Sequence, residues 1–178
     1  FDPFAKNLPE YVTAVDLDTL WREADAVSLH CPLTPENKGL LNAQTLARCK
    51  RGVIVVNTAR GGLIDEPALL AAVQSGQVMV GVNSNGFAPF VDSGQLRLLV
   101  TFGEHRTKRW PTVPTLKDLG HGIVAMSPYG LAGPAGLPPA IVQVLHEAFK
   151  AAMQDPAFVA ELARYDQEPA YLGPDDYG

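Results

Sequence analysis

Read for its apolar and polar positions, the chain alternates short helical stripes with short apolar runs between residues 17 and 82. Asp16 stands where it can cap a helix over 17–24, in which Leu17, Leu20, Trp21 and Ala24 recur at the spacing of one buried face. Residues 27–29 read as a short buried strand. It is closed by Cys31-Pro32-Leu33-Thr34-Pro35, where two prolines forbid a continued helix. A short helix over 42–49, with Asn42 as its cap, leads to Gly52 and the run Val53-Ile54-Val55-Val56-Asn57. So continuous a β-branched run predicts a strand covered on both faces. Asp65, the acidic Glu66, Pro67 and a closing Gly76 bracket a helix over 66–73, and 78–82 is the next strand. Three successive helix-to-strand steps predict a parallel sheet with right-handed crossovers.

After Val82 the texture changes. Asn83-Ser84-Asn85-Gly86 is a polar loop, and 96–101 is a strand candidate. Residues 103–122 are rich in Gly, Pro, Thr and charge and predict an excursion with at most one short helix, at 115–119. Residues 123–126 form another strand candidate. A long helix follows from Pro138 or Pro139 to Met153, with Ile141, Val142, Leu145, Ala148, Phe149 and Ala152 on one stripe. Asp155-Pro156 starts a final helix over 157–165, and the closing Gly-Pro-Asp-Asp-Tyr-Gly looks like one more helix start. At the other end, Phe1-Asp2-Pro3-Phe4 reads as the end of a strand entering a turn, because Pro3 cannot continue a central ladder.

Composition narrows the classes. The 178 residues suit one compact domain or two small ones, and a formal net charge of −5 argues against a broad basic surface for nucleic acid. The local basic run His105-Arg106-Thr107-Lys108-Arg109 reads as a solvated turn. Cys31 and Cys49 are too few for a disulfide framework or an all-Cys metal site; they are expected as free thiols, Cys31 as a small buried hydrophobe, and no metal site is predicted. No stretch approaches the roughly 20 apolar residues of a spanning helix. A soluble chain is expected, cytoplasmic as expressed and without membrane insertion. The sequence starts at Phe1 rather than Met, so any export signal is expected to lie outside it.

Three segments then carry a resemblance: Phe1-Asp2-Pro3-Phe4, Ser28-Leu29-His30-Cys31-Pro32-Leu33-Thr34, and Val56-Asn57-Thr58-Ala59-Arg60-Gly61-Gly62-Leu63-Ile64-Asp65-Glu66. In this order and spacing they resemble the cofactor domain of the D-2-hydroxyacid dehydrogenases, over residues 1 to about 78. The resemblance implies NAD as cofactor. Asp2 would accept the adenosine ribose hydroxyls, Arg60 would orient a substrate carboxylate, and the loops carrying His30, Pro32, Thr58 and Ala59 would lie beside the dinucleotide. A carboxylate can accept two hydroxyl hydrogen bonds and a guanidinium offers a bidentate fork, so the roles have physical sense. Two parts of that family's pattern are missing: the Gly-x-Gly-x-x-Gly turn, which belongs before Asp2, and the Glu and His acid–base pair, in whose place Asn83-Ser84-Asn85-Gly86 follows the last strand. His105, His121 and His146 lack the family's flanking residues and read as structural or solvated.

A second resemblance covers residues from about 75 to 178. Val91-Asp92-Ser93-Gly94-Gln95-Leu96-Arg97, the Val113-Pro114-Thr115 segment and Gly133-Pro134-Ala135-Gly136 before the long helix are similar to the substrate-binding receptors of tripartite tricarboxylate transporters. It implies a periplasmic origin for this half and a small carboxylate ligand, with Asn83 and Ser84 at a strand end as candidate contacts beside the alternative of a plain turn. The two patterns meet at Gln74-Ser75-Gly76-Gln77-Val78.

The expected molecule is therefore α/β, a doubly wound, mostly parallel Rossmann-like or periplasmic-binding-protein-like sheet with flanking helices. It would comprise a dinucleotide-binding half over 1–78 and a receptor-like half over 79–178. As a hybrid it would lack a complete active site. The alternatives are a dehydrogenase fragment that needs residues it does not carry and a carboxylate-receptor remnant. A small carboxylate or nucleotide is the expected partner, and an unpaired sheet edge near Phe1 to Phe4 would favour a homodimer.

Overall fold

The computed structural model describes residues 1–83, 85–126, 130–164 and 167–173. Helix α1 (Leu17–Glu23) starts where Asp16 accepts the Thr19 amide at 2.7 Å, and strand β1 (Ala26–Leu29) follows at once. Helix α2 (Ala43–Arg48) opens with a reciprocal cap. Asn42 Oδ1 accepts the Gln44 and Thr45 amides, and Thr45 Oγ1 accepts the Asn42 amide. Strand β2 (Val53–Asn57), helix α3 (Glu66–Gln74) and strand β3 (Val78–Val82) complete the repeat, α3 being capped by Asp65 on the Ala68 amide. The strands form one parallel sheet in the order β1-β2-β3, with an irregular register between Val53 and Ile54. The α/β class is as expected. Among the described residues the sheet is wound in one direction, and α1, α2 and α3 pack side by side.

The chain divides into two compact units, Phe1–Arg97 and Leu98–Gly178. In the first, Val27 and Leu29 of β1, Val53 and Val55 of β2 and Val78 of β3 meet Trp21, Leu46, Leu63, Leu69 and Ala72 in a single core. The opposite sheet face carries Ile54, Val56, Val80 and Val82 at intermediate exposure, so β2 is buried on one face rather than the two that its composition predicts. The joint between the two resemblances is well tied. Gln77 Nε2 donates to the carbonyls of Leu46 and Cys49, closing the end of α2, and Arg51 donates to the Ser75 carbonyl that ends α3. Gly76 turns the chain there at φ 72°, a conformation glycine adopts without cost.

The start of the chain corrects one expectation. Residues 1–4 join no strand, and Phe4 is 86% exposed. The bonds in this stretch are local, from the Phe4 amide to Asp2 and from Val12 to Pro9. After β3, a 3-10 turn (Asn85–Phe87) runs into a short helix, α4 (Ala88–Asp92), that the pattern did not announce.

Neither 96–101, which spans the boundary of the units, nor 123–126 in the second unit is a strand. The pairing among the described residues there is an isolated bridge between Thr101 and Thr115, one bond from the Ala125 amide to the Phe102 carbonyl and one from the Leu96 amide to the Phe90 carbonyl. In place of the helix expected over 115–119, Thr115 forms that bridge and 116–119 form turns. The long helix α5 (Pro139–Met153) and the final helix α6 (Pro156–Arg164) are where expected, but neither contains a buried residue. The helix start read at the end of the sequence falls on 174–178, outside the described residues. No helix among the described residues is long and apolar enough to cross a membrane.

Candidate functional site

Parallel sheets present ligands at the carboxyl ends of their strands, where loops leave the hydrogen-bonded ladder. Here those ends carry His30 after β1, Thr58-Ala59-Arg60 after β2 and Asn83 after β3. Their register is set by pairing of Leu29 with Asn57 and Val56 with Val82.

Asn57 organises this edge. Only 6% exposed, it donates through Nδ2 to the Arg60 carbonyl at 2.9 Å and to Asn83 Oδ1 at 3.3 Å, while its Oδ1 accepts the Ala59 amide at 3.1 Å. One side chain thereby fixes the 57–60 turn and joins it to the end of β3. Thr58 and Arg60 stand exposed on that turn, Ala59 is half-buried, and Arg60 Nη1 donates to the Ala59 carbonyl. Asn37 does the same for the first loop. It accepts the Thr34 amide and donates to the Pro32 carbonyl, each at 2.7 Å, and its Nδ2 lies 3.8 Å from Cys31 Sγ. The Thr34 hydroxyl draws the neighbouring Glu36 carboxyl below its ordinary pKa.

The loops are stitched together. Gly39 donates to the Gly62 carbonyl, Leu41 to that of Leu63, and Asp65 to that of Leu41. At Gly62 an added Cβ would fall 2.9 Å from Leu33 Cδ2, and at Gly86 it would run into the Glu66 carboxylate. Two glycines therefore permit close approaches at this edge. Neither Asn37 nor Asn57 was singled out by its motif. A buried asparagine at a strand end, followed by a short turn, is the signal that marks such a clamp.

Of the predicted contacts, Arg60, Thr58, Ala59 and Asn83 come together through Asn57. His30 ends the neighbouring strand with Nε2 2.7 Å from Ser28 Oγ, and the exposed Pro32 lies in the loop held by Asn37. Asp2 is not brought to β1 by any hydrogen bond among the described residues. Ser84 lies outside them.

The unit carrying Arg60 contains one histidine, His30; His105 and His121 are exposed in the second unit, and His146 is held there by Tyr171. Cys31 and Cys49 are free thiols, Cys31 half-buried at the edge of the core and Cys49 buried, where desolvation raises the thiol pKa. The basic run 105–109 is largely paired, Arg106 with Asp118 and Lys108 with Glu168. No group of metal-binding side chains occurs among the described residues.

The phosphate-binding turn that a nicotinamide dinucleotide would need is not formed among the described residues. Gly120-His121-Gly122-Ile123-Val124-Ala125 spells the loose form of the phosphate-binding turn, but the chain beyond it, to Met126, opens no helix. The aligned amides that would receive a pyrophosphate are therefore not provided there.

Two family models match the chain, and they overlap over residues 42–82. The family model for the D-isomer specific 2-hydroxyacid dehydrogenase NAD binding domain matches residues 1–82, and that for the tripartite tricarboxylate transporter family receptor matches 42–177. A UPF0065 protein in the gbd 5' region of Cupriavidus necator is 49% identical over 108 residues, which is 61% of this chain and 33% of that protein. Hydroxypyruvate reductase of Thermotoga maritima is 50% identical over 78 residues, 44% of this chain and 26% of that protein. The solved D-lactate dehydrogenase of Salmonella is 43% identical with a TM-score of 0.41, over 46% of this chain and 26% of that one. The chain thus spans a third or less of the length of these relatives. It belongs to the tripartite tricarboxylate transporter receptor family, and its first 82 residues match the NAD binding domain of the D-2-hydroxyacid dehydrogenases.

Proposed function

We propose that the chain is a composite of these two patterns, one that keeps an anion-binding strand edge and does not transfer hydride by itself. The observation that carries the reading is the isolation of Arg60. Its turn is fixed by Asn57 and Asn83, yet its unit holds one histidine, engaged with Ser28, and the dehydrogenase pattern stops at β3. An exposed guanidinium at the carboxyl end of a parallel sheet attracts carboxylates and phosphates through charge and a bidentate fork. Without a paired acid and base, a bound 2-oxo acid has no proton donor for the alkoxide that hydride addition would create.

The test is an assay of reduced-cofactor oxidation with hydroxypyruvate and pyruvate, alongside thermal unfolding with NADH and with a small dicarboxylate. No turnover is expected, and any stabilisation by a ligand should vanish in Arg60→Ala and weaken in salt. Turnover by the chain alone would refute the proposal. A ligand shift untouched by Arg60→Ala would move the binding site elsewhere.

A further inference from the structure

Helix α6 follows α5 after Gln154 and Asp155, and the chain at 167–173 returns to α5 through Tyr171. Its hydroxyl lies 2.9 Å from His146 Nε2, and the two rings meet at a tilt with centroids 5.7 Å apart. The His146 side chain is 16% exposed, so the anchor is well covered. One turn along α5, Lys150 places Nζ 5.1 Å from the centroid of the same tyrosine ring. Beside this pair lies a cleft of about 330 Å³ lined by Lys150, Met153, Gln154, Val159, Pro169 and Tyr171.

The lining specifies a chemistry. Among the described residues it offers one ammonium, one amide and one phenol on a wall of thioether, isopropyl and pyrrolidine surface, and no carboxylate. Lys150 forms no ion pair with any described residue. A phosphate would call for several convergent donors, and a dicarboxylate would bring a second charge with no cation to meet it. A cation would face Lys150. The volume is that of a small-molecule site.

We propose that this cleft binds a small monocarboxylate with an aromatic or aliphatic body, its carboxylate on Lys150 and Gln154 and its body against Met153, Val159 and Pro169. Tyr171, held by His146, closes the charged end and keeps Lys150 directed along the cleft. This site is separate from the Arg60 edge and does not depend on the reading given to it.

Titration of the full chain with benzoate, followed by amide chemical shifts in NMR, tests the assignment. Saturable shifts should centre on Met153, Gln154 and Val159 with a Kd of about 1 mM, the range open to so small a ligand in a half-open cleft. Benzamide, the neutral analogue, should bind at least about fivefold more weakly, and Lys150→Gln should weaken benzoate by a similar factor. Equal binding of benzoate and benzamide by the native chain would overturn the proposal without recourse to any variant. So would undiminished benzoate binding by a folded Lys150→Gln protein, or unmoved amides at about 20 mM, well above the expected Kd.

Discussion

The two units use the same kinds of residue to opposite effect. In the first, six regular elements share one core, and every helix from α1 to α3 has a sheet and a neighbouring helix to bury against. In the second, α5 has a sharper apolar stripe than α3, yet Val144 is 69% exposed and Phe149 47%, because among the described residues of its own unit it meets one short helix and the segment around Tyr171, and no sheet. Thr115 is the one residue described as buried in that unit. An amphipathic sequence secures a helix; burial needs a second surface of matching size.

The largest expected effect separates the units directly. Leu63→Ala in the first core should cost about 3 kcal/mol, whereas Phe149→Ala on α5 should cost less than about 1 kcal/mol. Each unit has its own fluorescent reporter, Trp21 in the first and Trp110 in the second, so urea unfolding can follow them separately. Equal losses would show that the units fold as one, and the contrast drawn here would fail.

Next in size is the strand edge. Asn57→Ala should destabilise the first unit by about 2 kcal/mol, since it strips partners from the Arg60 carbonyl, the Ala59 amide and Asn83 at once. Hydrogen exchange should quicken at Ala59 while the centre of β2 stays protected. Loss of protection throughout the sheet would instead make Asn57 a core residue rather than a local clamp.

The smallest effect is electrostatic and distinguishes the second unit. Hydrogen bonds from Lys117, Arg106 and Lys108 hold Glu104, Asp118 and Glu168 below their ordinary pKa values. Folded values that are depressed give stabilisation that is present above the unfolded pKa and is lost as pH falls through the folded one. Acidification from neutral pH to below about 4 at low ionic strength should therefore perturb Trp110 before Trp21. In the first unit the depressed groups, Asp16 and Glu36, owe most to backbone and hydroxyl donors, which salt leaves largely in place. Added salt should accordingly shift the Trp110 transition and spare that of Trp21. The reverse order would place the salt-sensitive contacts in the wrong unit.

Much of this was legible in the sequence. Caps at Asp16, Asn42 and Asp65 are local bonds between a side chain and amides two or three residues on, so residue order alone specifies them. The apolar runs at 27–29, 53–57 and 78–82, separated by helices, dictated a parallel α/β sheet, and the motifs placed Arg60 and His30 at its carboxyl ends.

Other features depended on partners distant in the chain. Residues 96–101 and 123–126 have strand composition, but among the described residues their backbone bonds are limited to Leu96, Thr101 and Ala125 and build no ladder, because a strand exists only where another backbone supplies its hydrogen bonds. Phe1 to Phe4 fails as a strand for the same reason. The clamp from Asn57 to Asn83, the tie of Gln77 to the end of α2 and the cleft between Lys150 and Tyr171 each join residues some 20 to 31 positions apart. Local propensity and periodicity thus settled which segments are helical and which can be strands; tertiary structure decided which faces are buried and which polar groups meet, since those energies arise only when separate surfaces come together.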